Sequence, residues 1–190
     1  MTIGIMGGTF DPIHLGHLRA AETAREALRL SRVLFVPAGQ PPHRAAPSAS
    51  PLDRWAMVCL ATAPHAFFEV SDVEIVRAGP SYTVDTVEIL RRQHAADELV
   101  LLVGSDTLCE MSSWKTPERL LSLCRVAVVE RPGSADASPV SPSLPAERVN
   151  GPGLDVSASA IRRLVAEGRS VRHLVPDGVA DHIAKRGLYR

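Results

Sequence analysis

Two histidines, His14 and His17, stand three residues apart just beyond a pair of glycines, in the segment Gly7-Gly8-Thr9-Phe10-Asp11-Pro12-Ile13-His14-Leu15-Gly16-His17. Residues three apart on a helix share a side, so both imidazoles can face one ligand. The glycines let the backbone turn tightly and approach a ligand that a Cβ would hold away. Before them, Thr2–Met6 is a short apolar run that reads as a strand. Pro12 removes an N–H and stops strand pairing, and the alanine-rich stretch that follows reads as a helix. Unpaired first-turn amides, the positive end of the helix dipole and two imidazole donors together make a receptor for phosphate. Two other readings compete. The histidines can be surface or capping residues, or they can share a zinc ion, for which Asp11 is the only nearby third ligand and the adjoining Pro12 marks a turn.

A second constellation, Asp155-Val156-Ser157-Ala158-Ser159-Ala160-Ile161-Arg162, is a hydroxyl-rich turn leading into a helix. Hydroxyls and free amides at a helix N-terminus can hold phosphate oxygens, and Arg162 can donate two parallel hydrogen bonds to them. Taken alone, the same pattern caps an ordinary helix. The proline-rich stretch from Pro37 to Pro51 reads as a loop, yet it carries His43 and Arg44. Cationic groups on a loop at the carboxyl end of a strand can cover a bound anion.

The elements that must position these residues alternate. Strand-like runs at Ile3–Met6, Val33–Val36, Leu99–Val103 and Val126–Val129 are separated by helical patterns at His17–Leu30, Leu52–Ala63, Val84–Gln93 and Pro117–Ser122. Repeated β-α units predict an α/β fold, a Rossmann-like doubly wound parallel sheet with helices on both faces. Phe67–Val76 reads as a further strand with an irregular extension. Pro132 to Pro152 has five prolines and few apolar residues and reads as a surface loop. After it, Leu154–Val156 reads as a short strand and Ala160–Glu167 as a helix capped by Ser157 or Ser159 and ended by Gly168.

Composition sets the outer limits. With 190 residues, 45% apolar and 22% charged, the chain fits one globular domain with a small helical part at its C-terminal end. Lys+Arg and Asp+Glu balance at 21 each, so no net field recommends nucleic acid as a partner. No apolar run is long enough to span a bilayer, and nothing resembles a signal peptide, so the expected placement is cytoplasmic. Cys59, Cys109 and Cys124 lack CxxC spacing and read as reduced, buried thiols.

The HxGH segment resembles the phosphate-binding signature of the nucleotidyltransferase superfamily, and Ser157–Arg162 resembles its ISSTxIR element, with Ala158 for the second serine and Ser159 for threonine. Four further segments occur in order: Pro37–Arg44, Gly79–Thr86, Gly104-Ser105-Asp106 with Trp114 beyond it, and Arg131-Pro132-Gly133. With Leu174–Val179 they resemble the bacterial nicotinate mononucleotide adenylyltransferase family along nearly the whole chain. The family usually has Lys at Arg44, and it has aromatic residues after the tryptophan where this chain has Lys115, Thr116 and Pro117.

The resemblance implies that AMP passes from ATP to nicotinate mononucleotide, with Mg²⁺ held mainly through ATP phosphates and water and with no protein metal ligand. It implies His14, His17, Arg44 and Arg162 as catalytic residues. Gly7, Gly8, Thr9, Phe10, Gly104, Asp106, Ser157 and Ser159 join His14, His17 and Arg162 around ATP, so that the element from about residue 154 completes the ATP site of a single domain, 1–190. Thr9, His43, Arg44, Tyr82, Thr83, Trp114, Lys115 and Arg131 are implied for nicotinate mononucleotide, Thr83 and Lys115 through backbone N–H groups. Trp114 as a core residue and Asp106 as a helix cap are the plainer alternatives. Phosphopantetheine or nicotinamide mononucleotide as acceptor, or a nucleotide-binding regulator without turnover, are the rival functions. The expected partners are small molecules, without nucleic acid or membrane, and a homo-oligomer is left open.

Overall fold

A computed structural model describes residues 1–42, 46–130 and 146–190, with the side chain of Asp106 outside that description. Six parallel strands form one sheet in the order β3-β2-β1-β4-β5-β6. They are β1 (Thr2–Gly8), β2 (Arg32–Pro37), β3 (Phe68–Val70), β4 (Glu98–Gly104), β5 (Arg125–Val129) and β6 (Ala146–Val149). The helices are α1 (Leu15–Ala27), α2 (Pro51–Thr62), α3 (Thr83–Gln93), α4 (Ser105–Glu110), α5 (Pro117–Leu123), α6 (Ala158–Ala166) and α7 (Asp177–Arg186). This is the expected doubly wound α/β arrangement.

Alternation along each buried strand builds two cores. Met6, Phe35, Val100 and Leu102 face α1, α2, α6 and α7, whereas Ile5, Val36, Leu101 and Val103 face α3, α4 and α5. A strand buried on both faces must be apolar at every position, which is why these strands stood out as unbroken apolar runs. β1 pairs with β4 only as far as Ile5↔Leu101, while its pairing with β2 continues to Gly8↔Pro37. The chain order reverses between β1 and β4, and the two strands part there at their carboxyl ends. That crevice is where ligands enter open α/β sheets.

Several expectations need correction. The strand expected across Phe67–Val76 is confined to Phe68–Val70, after which the Ile75 and Val76 amides turn back to the Asp72 carbonyl. α1 begins at Leu15 and not at His17, because His14 itself takes the extended N-cap conformation. Ala146–Val149, expected within a loop, pairs with β5 as an edge strand. Its exposed Glu147 and Arg148 are held by Arg125 and Glu130, and charges that guard a sheet edge leave no apolar run to read. Residues 131–145 of that expected loop lie outside the described residues. Leu154–Val156 is not a strand: the Val156 amide bonds back to the Leu154 carbonyl at 3.0 Å, a tight turn that excludes ladder pairing. The helix expected from Ala160 starts at Ala158, with Ser157 as its N-cap. The three cysteines are free, but only Cys124 is buried; Cys109 is exposed and Cys59 half-buried. Among the described residues no helix is long and apolar enough to cross a membrane.

α7 is fastened to α2 through Asp53, which is buried and accepts from the Ser50 hydroxyl (2.7 Å), Arg186 Nε (3.0 Å) and His182 Nε2 (3.1 Å). The Ser50 bond, joined by those to Arg186 and His182, holds the Asp53 carboxyl below its ordinary pKa against the opposing effect of burial. Its contribution is therefore complete above the unfolded value near pH ~4 and is lost as pH falls through the lower folded value. The stability gap between the wild type and Asp53→Asn, measured by thermal melts, is expected to be widest near neutrality and to shrink below about pH 4. A gap that stays constant with pH contradicts this role.

Candidate active site

The crevice between β1 and β4 opens into a cleft of about 640 Å³. At its floor lie Gly7, next to the last residue of β1, and Gly104, the last of β4, and a Cβ built on either would meet nothing within 4 Å beyond its own chain neighbours. Neither glycine is demanded by protein packing there. The space above them belongs to whatever the cleft holds.

His14 and His17 come together as expected, with ring centroids 3.7 Å apart and planes inclined by 26°. The His14 amide donates to His17 Nδ1 at 3.2 Å, so Nδ1 accepts and the ring proton sits on Nε2, making that nitrogen a donor. Phe10 braces the His17 ring edge-on with centroids 5.1 Å apart. His14 is 4% exposed, so the pair is a half-sunken platform with His17 as its more open member. Gly16 is sterically required, since a Cβ there would stand 3.0 Å from His14 Nδ1 and 3.4 Å from the Leu154 carbonyl oxygen.

The second constellation faces the same cleft. Ser157 Oγ accepts from the Ala160 amide and lies 3.2 Å from Ser159 Oγ, grouping two hydroxyls at the N-terminus of α6. One turn on, Arg162 Nη1 donates to the Asp11 carbonyl at 2.8 Å, which anchors the guanidinium against the turn carrying the histidines. Gly151 and Arg19 lay the intervening segment along α1: a Cβ on Gly151 would stand 2.4 Å from Thr23 Cγ2, and Arg19 Nε donates to the Pro152 carbonyl at 3.0 Å.

At the other end, Tyr82 caps α3 and Thr83 is its first residue, so the Thr83 amide has no intrahelical acceptor. Ser81 Oγ accepts from the Gly39 and Gln40 amides at 3.0 and 3.1 Å, stitching this helix start to the turn after β2. Trp114 borders the cleft, and Lys115 beside it is held by Asp85 at 2.9 Å with its ammonium 4.8 Å from the Tyr82 ring centroid. Thus Gly7, Gly8, Thr9, Phe10, Gly104, Ser157, Ser159 and Arg162 line one cleft with both histidines, as do Tyr82, Thr83, Trp114 and Lys115. His43, Arg44 and Arg131 lie outside the described residues, as does the Asp106 side chain.

One residue that holds the site together was not singled out from the sequence. Arg54 is fully buried and donates to three carbonyls from separate segments: Thr9 (2.8 Å), Gly39 (3.0 Å) and Ala49 (3.3 Å). Burial lowers its pKa, and the fields of Asp11, Tyr189 and Glu74 oppose that effect. Asp11, considered above as a third metal ligand, has its carboxylate engaged by other partners. Its carboxylate accepts from the Ser48 amide (2.8 Å), the Ala49 amide (3.1 Å) and the Tyr189 hydroxyl (2.7 Å), leaving it a structural anion.

A parallel sheet in this order, with paired histidines at the first β-α turn and a hydroxyl-capped helix facing them, is the architecture of a nucleotidyltransferase. Residues 5–164 match the family described as cytidylyltransferase-like. Curated relatives named "Probable nicotinate-nucleotide adenylyltransferase" align along the entire fold: that of Thermomicrobium roseum is 46% identical, covering 99% of this chain and 91% of the relative. That of Roseiflexus sp. is 47% identical over 99% and 98%. The chain belongs to the nicotinate-nucleotide adenylyltransferase family. Among solved structures, a Plasmodium falciparum nicotinic acid mononucleotide adenylyltransferase complexed with NaAD superposes with a TM-score of 0.84, at 19% identity and with 99% and 97% of the two chains covered, a likeness of fold.

The histidine platform yields a direct test. Gly16→Ala is expected to displace the His14 ring and lower kcat/KM by at least about tenfold, since small misplacements at a reacting centre are costly, while the melting temperature moves by only a few degrees. Unchanged kcat/KM in a folded variant contradicts the steric role assigned to this glycine.

Proposed function

We propose that the enzyme transfers the adenylyl group of ATP to nicotinate mononucleotide, giving nicotinate adenine dinucleotide and pyrophosphate. The reading is carried by one observation: a phosphate receptor and a second, amide-bearing pocket with a tryptophan open into the same cleft, in a chain 46% identical to curated relatives that carry the adenylyltransferase name. The attacking group is an oxygen of the mononucleotide phosphate, already anionic near neutral pH. It forms a bond to the α-phosphorus of ATP in line with the bond to the bridging oxygen, which breaks and leaves with pyrophosphate. No proton has to be removed, so no base and no covalent enzyme intermediate are needed. The work is positioning and charge stabilisation.

In this reading His14 and His17 and the first-turn amides of α1 hold the α- and β-phosphate region. Arg162 and the Ser157–Ser159 turn receive the departing pyrophosphate, and Arg44 shares in neutralising its charge. Mg²⁺ neutralises charge on the triphosphate when bound, through phosphate oxygens and water, since three donors already engage Asp11. At the other end the pyridine ring stacks on Trp114 and its carboxylate accepts from amides, including those of Thr83 and Lys115. Nicotinamide would present an NH₂ donor to the same donors and leave groups unpaired. Thr9, Tyr82, His43 and Arg131 belong in this reading to the mononucleotide site, and Asp106 after Gly104 holds the adenosine or nucleotide part. The balance of 21 Lys+Arg against 21 Asp+Glu fits an enzyme working on small molecules and not on nucleic acid, which we place in the cytoplasm.

Pyrophosphate release with ATP and each candidate acceptor, run side by side, tests the assignment. Nicotinate mononucleotide is expected to give the highest kcat/KM, with nicotinamide mononucleotide lower by at least about tenfold, the loss expected when buried donors face an unmatched donor. Release with phosphopantetheine, or equal rates with both mononucleotides, contradicts the acceptor assignment.

A further inference from the structure

Tyr189 lies three residues beyond the end of α7, yet its hydroxyl reaches Asp11, 178 positions earlier, at 2.7 Å. The path that brings it there is firmly built. Asp53 ties α7 to α2 through His182 and Arg186, Gly187 reverses the chain in the left-handed region (φ 62°), and the Leu15 amide bonds to the Leu174 carbonyl at 2.9 Å. Burial and the adjoining Asp11 carboxylate push the Tyr189 phenol far above its ordinary pKa, so the hydroxyl stays protonated and donates. Both ends of this contact carry a non-glycine residue in the left-handed region: Phe10, next to Asp11, at φ 49° and Tyr189 itself at φ 65°. Such conformations cost energy and persist where the surroundings dictate them.

The consequence falls on one residue. The Asp11 side chain is fixed by Ser48, Ala49 and Tyr189, and its main-chain oxygen is the acceptor for Arg162 Nη1. Phe10, immediately before it, braces His17. A shift of the main chain at Asp11 therefore moves the acceptor of the guanidinium and, through the adjoining Phe10, the brace of the histidine, which belong to the two halves of the phosphate receptor.

We propose that Tyr189 is a positioning residue for catalysis, its hydroxyl setting the spacing between the histidine platform and Arg162 through Asp11. This rests on the reading of the cleft as an ATP site. It does not depend on which acceptor is used, because the contact serves the phosphate end alone.

Tyr189→Phe and Tyr189→Ala separate hydroxyl from ring. The phenylalanine variant is expected to recover most of the melting temperature that the alanine variant loses, while its kcat/KM for ATP stays about tenfold or more below wild type and its KM for the acceptor changes less than twofold. Calorimetric titration with ATP alone supplies a readout free of the acceptor, in which Tyr189→Phe is expected to bind about tenfold more weakly than wild type. Should the alanine variant fail to fold, the comparison of phenylalanine with wild type still decides. Wild-type protein that binds no ATP removes the functional reading and this inference with it. Wild type that binds, beside a phenylalanine variant within twofold of it in ATP affinity and kcat/KM, overturns the inference alone.

Discussion

One buried guanidinium stands behind the geometry of the whole cleft. Among the described residues Arg54 has no carboxylate within hydrogen-bond reach, and it satisfies three main-chain oxygens instead, from the turn after β1, the turn after β2 and the approach to α2. A buried charge is tolerable only where dipoles and hydrogen bonds replace the water it has lost. Those three carbonyls, with the nearby charges of Asp11 and Glu74, provide that replacement. The planar fork can meet three acceptors at once in a way an ammonium cannot. The Arg54 bond to Gly39 reaches the acceptor end as well, because the amide of that same glycine donates to Ser81 Oγ at the start of α3. Phosphate receptor and acceptor pocket are thereby held to one frame.

The sheet supplies the frame's other constraint. Strand order reverses between β1 and β4, so their connections leave toward opposite faces and the crevice between them stays open. Gly7 and Gly104, at the carboxyl ends of these strands, leave the floor unobstructed. In the proposed reading the phosphates meet α1 and α6 on one side of this crevice, and the acceptor meets α3 and Trp114 on the other.

Much of this was legible in the sequence for a physical reason: strands buried on both faces must be apolar throughout, and β1, β2, β4 and β5 obey. The paired histidines were legible because their spacing and glycine setting fit few other purposes. β6 was not, since an edge strand guarded by Glu147 and Arg148 resembles a polar loop. The start of α1 was misjudged because the N-cap is a histidine and not one of the usual small polar residues. Arg54 was not singled out because no local pattern distinguishes it, and only tertiary structure reveals that it is fully buried. The tyrosine that reaches Asp11 leaves no local signal, because its partner lies 178 residues away.

The central claim is that a single receptor for the triphosphate is assembled from the two chain segments that carry the histidines and Arg162. A crystal structure of the enzyme with a non-hydrolysable ATP analogue tests it most directly. The expected complex has the α- and β-phosphates within hydrogen-bond distance of His17 and the first-turn amides of α1, and the terminal phosphate against Arg162 and the Ser157–Ser159 turn. A triphosphate bound in the cleft away from either segment, or bound outside the cleft, contradicts it.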